Sequence, residues 1–231
     1  MKEEKIPPVT SLGLQLEKAR VGHFLDVPDL EKLTKPNSII FQRDGIWEIR
    51  KNRIGQFISK QTPTFIPGLE QKLTVNQFSL SISLAPKEFL FQISHFFKVV
   101  MEKMNHSEAL VYGYFNTKTK EWFLDIPKQE VTGGHVHAIP DKDIETNPDI
   151  MRVFDIHSHN TMPAIFSGTD DADELGDKIF MVMGRVDKPI PDISLRAGKG
   201  TRDQKIQINL EHIFNISNEE YMKLETLPVA N

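Results

Sequence analysis

The clearest helix in this chain lies in PKEFLFQISHFFKVVMEKM, residues 86–104, and it limits what the rest can be. Phe89, Leu90, Ile93, Phe96, Phe97, Val100, Met101 and Met104 follow one another at steps of one, three, three, one, three, one and three, which is one apolar face of a helix. Pro86 suits the first turn. His95 lies beside that face and reads as a packing or surface residue. Such a face must be covered, and the chain beyond it consists mostly of short strand-like runs. EALVYGYFN and EWFLDI are joined by the turn TKTK; GGHVHAI and RVFDIHSH come next. GTDDADELGDKI then reads as a helix, FMVMGRV as an apolar strand, and ISLRAG and QKIQINLEHI flank the glycine turn GKG. The order helix, strands, helix, strands implies an α/β or α+β domain built on a mixed β-sheet flanked by helices.

The N-terminal part has a different texture. Residues 1–36 are polar and proline-rich, with one short helical possibility around Leu12–Ala19. In SIIFQRDGIWEIRKNRIGQFISK apolar and polar residues alternate on either side of Asp44-Gly45, the pattern of a hairpin with a tight turn at that dipeptide. TPTFIPGLEQ interrupts the pattern with two prolines and a glycine. Residues 1–80 are therefore expected to form a small β-rich region and residues 81–231 the main domain.

Composition narrows the chemistry. None of the 231 residues is cysteine, which removes disulfides, thiolate zinc fingers, iron–sulfur clusters and thiol catalysis. Any metal must be held by His, Asp, Glu or backbone oxygens. The net charge of −4 leaves no overall basic footprint for nucleic acid. Arg50, Lys51, Arg53 and Lys60 make the N-terminal hairpin locally basic, a pattern that fits a solvated hairpin face. MKEEKIPPVTSLGLQLEKAR lacks an apolar leader core, and FLFQISHFFKVV is too short and too interrupted to span a bilayer. A soluble cytoplasmic protein is expected.

The densest chemistry lies in VFDIHSHNTMPAIFSGTDDADEL, residues 153–175. Alternate side chains of a strand share a face, so His157 and His159 project together from the end of VFDIHSH. A loop of seven residues, Asn160 to Phe166, leads to Ser167 at the start of a helix, with Asp170 in its first turn. From there Asp170 can reach back to the strand end. Two imidazoles and one carboxylate make three protein ligands, and a tetrahedral zinc held by three ligands keeps one position open for water. Taken alone, Ser-x-x-Asp is also a capping-box pattern, and a lone His-x-His also occurs on surface strands. The two together, at a strand end and a helix start one loop apart, favour a metal centre. Asp171, Asp173 and Glu174 read as acids enriching a helix N-terminus. Asp155, two residues before His157, is either a partner behind the ligands or a strand-end polar residue.

His157-Ser158-His159, seven residues, Ser167, two residues and Asp170 resemble the JAMM (MPN+) metalloprotease motif, His-x-His-x7-Ser-x-x-Asp, in every ligand type and spacing. The family's upstream glutamate has its counterpart in Glu108 of SEALVYGYFN, and the likeness covers about residues 85–215. Two departures stand out. Asn160 replaces the proline usual after the second histidine, a change expected to alter loop stiffness more than ligation. Gly113 follows Glu108 by five residues where the family has Glu-x-x-Gly, so Glu102 and Glu121 stay in view as lesser alternatives.

The resemblance implies a cytidine-deaminase-like MPN/JAB core and a zinc metallopeptidase or isopeptidase. In it, His157, His159 and Asp170 hold Zn2+, Glu108 is general base and acid, and Ser167 donates to the tetrahedral oxyanion. It implies a protein or peptide substrate, with ubiquitin-like and sulfur-carrier proteins among the choices, for a compact bacterial or phage-type member. RadC-like relatives carry a similar pattern in DNA-associated contexts, which gives a second reading without peptidase activity. A third, an inactive scaffold, has no need of this ligand set. His135 and His137 form another His-x-His without a following Ser-x-x-Asp; a surface or site-rim role is expected, lining the groove if their strand neighbours that of His157. AGKGTR lacks the full phosphate-loop pattern, and no Gly-x-Ser-x-Gly elbow is present.

Overall fold

A computed structural model of the chain describes residues 21–131, 136–198 and 205–224. The short helix expected around Leu12–Ala19, Lys199 and Gly200 of the glycine turn GKG, and His135 lie outside these residues; Gly198 is the last residue of the strand Asp192–Gly198. The chain divides into two compact units, Met1–Ser81 and Ile82–Asn231.

The first unit is a five-stranded sheet in the order β1 (Val21–Phe24), β2 (Asn37–Gln42), β3 (Gly45–Lys51), β4 (Gly55–Pro63) and β5 (Gln77–Leu80). β1 and β2 run parallel and every other pair is antiparallel. Strict alternation along β2 and β3 buries Ile40, Trp47 and Ile49, which form a core with Ile58 and Leu73. The hairpin exists, but its two-residue loop is Arg43-Asp44 rather than Asp44-Gly45, because Gln42 pairs with Gly45. Gly45 instead opens β3 with a φ of 139°, and a Cβ there would meet the Thr62 carbonyl at 2.2 Å. Asp44 accepts from Trp47 Nε1 at 2.9 Å and pairs with Lys60. Arg50 pairs with Glu48, and Lys51 Nζ donates to the Leu30 carbonyl, so most of the hairpin's cations already have partners within the unit.

The second unit is α+β. Its six-stranded mixed sheet has the order β13 (Lys205–Ile208), β12 (Asp192–Gly198), β11 (Ile179–Gly184), β10 (Ile150–Ser158), β6 (Leu110–Asn116) and β7 (Glu121–Asp125). Only β10 and β11 run parallel in it, and the crossover between them carries the loop and helix of the histidine motif. The helix expected over 86–104 is α1 (Glu88–Lys103), which buries Leu90, Ile93, Phe97 and Met101. Phe154 of β10 stacks between Trp122 and Phe214 at centroid distances of 5.1 and 5.4 Å. Gly113 of β6 makes room for it, since a Cβ there would lie 2.3 Å from the Phe154 ring.

Two sequence expectations need correction here. The helix read in GTDDADELGDKI is only α3 (Gly168–Asp173), because it has no apolar stripe to bury and Gly176 leaves helical geometry with a φ of 100°. It and the four-residue α2 (Lys142–Glu145) and five-residue α4 (Asn218–Met222) make the described helices beyond α1 short, so the sheet is less flanked by helices than expected. GGHVHAI yields β9 (Val136–Ile139), which pairs with β8 (Lys128–Val131) in a separate two-stranded ribbon and does not neighbour β10. His137 on it is exposed and faces Glu130. Among the described residues no helix is long and apolar enough to cross a membrane.

Candidate metal centre

The site is assembled where the parallel pair begins its crossover. Buried neighbours hold the end of β10: Ile156 opposes Met181 of β11 and Val111 of β6, so the backbone carrying His157 is fixed on both sides. His159 lies one residue past the strand, and its N–H still donates to the Met183 carbonyl at 2.9 Å. The loop then returns over β11. Arg185 N–H donates to Met162 O and Val186 N–H to Asn160 O, at 2.7 and 2.8 Å. This close passage needs Gly184, where a Cβ would lie 2.3 Å from Ala164 N and 2.4 Å from Met162 O.

Asp170 is aimed by the capping box. Ser167 Oγ accepts from Asp170 N–H at 3.2 Å, and Asp170 Oδ2 accepts from Ser167 N–H at 2.5 Å. The cap and the metal-ligand readings of Ser-x-x-Asp therefore describe one geometry. While Oδ2 closes the box, Oδ1 lies 3.1 Å from His157 Nε2. His159 Nε2 lies 3.6 Å from Asp170 Oδ2 and 3.1 Å from His157 Nε2.

Those separations fit one small cation. A tetrahedral zinc with bonds of about 2.0–2.1 Å has ligand–ligand edges of about 3.3 Å. Two imidazole nitrogens 3.1 Å apart also demand a proton or a cation between their lone pairs. The Pro163 carbonyl accepts from the His159 ring; a ring that makes that bond through Nδ1–H keeps its Nε2 lone pair for a metal. Among the described residues these three form the group of His, Asp and Glu side chains whose ligand atoms converge, all within 4.8 Å of one another.

Electrostatics run the same way. Burial alone pushes the Asp170 carboxyl up, but hydrogen bonds from His157 and His159 outweigh it and hold the group far below the usual carboxylate range. Burial disfavours the His159 imidazolium, yet Asp170, and behind it Glu108, lift its pKa above that of a free imidazole.

The three groups lie in a cleft of about 330 Å3 whose lining includes Glu108, Ser167, Leu110, Val136 and Phe180. Glu108 is 7% exposed. The two residues interleaved with the histidines bracket it. Ser158 Oγ accepts from Ala109 N–H at 2.9 Å, and Asn160 Nδ2 donates to His106 O at 2.6 Å. Glu102 on α1 and Glu121 at the far end of β7 do not line the cleft. Asp155, on the same face of β10 as His157, also lines it and pairs with Lys178 at 2.9 Å and Arg152 at 3.2 Å.

Sequence reasoning missed the partners of Asp171 and Glu174, which are more than helix-start acids. Arg196 of β12 reaches both, and Lys205 joins them. Their signal, alternation along ISLRAG, acquires meaning only once the register places Arg196 opposite Phe180.

No protein-family model matches the chain, and no curated protein matches it either.

Proposed function

We propose that the second unit is a zinc-dependent hydrolase of amide or isopeptide bonds, with the MPN/JAB arrangement that its motif resembles. The observation that carries this reading is the convergence of His157 Nε2, His159 Nε2 and the Asp170 carboxylate at coordination-edge distances, in a cleft that Glu108 and Ser167 also line. His157, His159 and Asp170 would hold the ion. Zinc bound there supplies Lewis acidity and lowers the pKa of a water molecule to about 7.

The protein's own groups supply the rest. Glu108, a largely buried carboxylate in the same cleft, accepts the proton of the attacking water and returns it to the leaving amine. Ser167 accepts from Asp170 N–H through its oxygen, which leaves its O–H to donate to the carbonyl oxygen as negative charge develops there. Leu110, Val136 and Phe180 give the cleft apolar walls against which a substrate chain can lie. A protein or peptide presenting an accessible amide or isopeptide bond, a ubiquitin-like tail among them, is the substrate class this chemistry serves.

The test is hydrolysis of peptide and isopeptide-linked substrates by the zinc-loaded protein beside Glu108→Gln and Ser167→Ala. Glu108→Gln should retain one zinc per chain and lose turnover. Ser167→Ala should lower kcat by about 10²–10³-fold. Undiminished turnover in Glu108→Gln would refute the assignment.

A further inference from the structure

The third ligand rides on an element with little else to hold it. α3 spans six residues and buries none of them. Among the described residues, the backbone hydrogen bonds of 164–175 that lie outside regular elements stay within residues 163–175: Ile165 to Pro163, Asp171 to Ser167, Glu174 to Asp170, Leu175 to Asp173. A helix this short is marginal without tertiary support. Yet its Asp170 must stay in place for the ligand set to close.

That support centres on one guanidinium, with a lysine beside it. Arg196 Nε donates to Glu174 Oε2 at 2.6 Å, and its Nη2 lies 2.5 Å from the same oxygen. Its Nη1 meets Asp171 Oδ1 at 2.7 Å, and its plane covers the Phe166 ring at 3.7 Å from the centroid. Lys205 Nζ adds contacts of 3.2 Å to Glu174 and 3.6 Å to Asp171. Phe166 immediately precedes Ser167, and Asp171 immediately follows Asp170. Arg196 thus grips the segment on both sides of the capping box. It does so from β12, opposite Phe180 in the sheet, and is itself 8% exposed.

We infer that Arg196 is the positioning residue of the metal centre: an ionic latch, in place of apolar packing, sets where Asp170 stands and so sets metal affinity. This rests on the reading of His157, His159 and Asp170 as ligands. Arg196 touches none of the three and acts through Asp171, Glu174 and Phe166. Groups that orient ligands without touching the ion change affinity by about 10–100-fold.

The probes are Zn2+ in competition with a chromophoric chelator and Co2+ followed by its visible absorption, both on the full chain. Arg196→Met should bind Zn2+ about 10–100-fold more weakly than wild type. Its Co2+ spectrum should move towards that of Asp170→Asn, a signature that general loosening of the sheet does not produce. Arg196→Lys, which keeps charge without the fork, should fall between. Asp171 is half exposed, so Asp171→Asn serves if Arg196→Met fails to fold, and should weaken binding in the same direction. Wild-type affinity and spectrum in Asp171→Asn and in folded Arg196→Met, with zinc lost in His157→Ala, would overturn the latch and leave the metal centre standing. Full affinity in His157→Ala and Asp170→Asn would overturn both.

Discussion

Asn160 holds a backbone torsion that proline cannot adopt. Its φ is 46°, in the left-handed region, whereas proline is locked near −65°. Asparagine tolerates that region, and its side chain adds the bond to His106 O that ties the loop to the segment carrying Glu108. Behind the change expected to alter loop stiffness more than ligation stands a different backbone course. Asn160→Pro should destabilise by more than about 1 kcal/mol, whereas Asn160→Gly keeps the torsion and loses about 1 kcal/mol with the hydrogen bond; denaturant unfolding of the two variants checks the order. The proposed ligands themselves make a pH prediction. Asp170 raises the pKa of His159 in the metal-free protein, so that contribution to stability is full below the ordinary value of 6.5 and is lost as pH climbs through the raised one. Zinc requires the neutral ring, so the proton opposes binding over the same window. Both effects widen the gap in thermal midpoint between zinc-loaded and metal-free protein as pH rises from about 6 to about 8. A constant gap, measured by calorimetry, would contradict it.

Among the elements, β10 and its crossover place the chemistry, and packing around Gly184 places the crossover. Gly184→Ala would drive a Cβ into the backbone of Met162, Pro163 and Ala164, so it should cost about 1–3 kcal/mol and weaken zinc binding by displacing the loop between His159 and Ser167. Unchanged affinity in a folded Gly184→Ala would show that the loop tolerates the shift. How legible each element is in the sequence depends on the range of the interactions that make it. α1 is readable because its apolar face repeats within a few residues, and the strand bearing His157 is readable from its own run of apolar side chains. The Ser167–Asp170 cap is readable because both partners lie within one helical turn. The helix after Ser167 ends sooner than its run of acids suggests, and Glu174, just past its end, pairs with Arg196, 22 positions away, which no local reading finds. The ribbon of β8 and β9 escapes a local reading for the same reason: pairing partners are chosen across the fold, and local alternation does not name them.

At the scale of the whole molecule, each unit has a sheet and a buried core of its own. The first is centred on Trp47, Ile40 and Ile49, the second on Phe154, Phe97 and the buried strands around them. All five groups assigned to the chemistry belong to the second. Residues 82–231 expressed alone should therefore fold and bind zinc within about threefold of the full chain, an effect under about 1 kcal/mol, with isothermal titration as the check; loss of binding would make the first unit part of the centre. The central claim is tested most directly by anomalous diffraction at the zinc edge from crystals grown with zinc. The account predicts one strong peak per chain, about 2.0–2.1 Å from His157 Nε2, His159 Nε2 and a carboxylate oxygen of Asp170. A map with no peak there, or with zinc held elsewhere while these three side chains point apart, would contradict it.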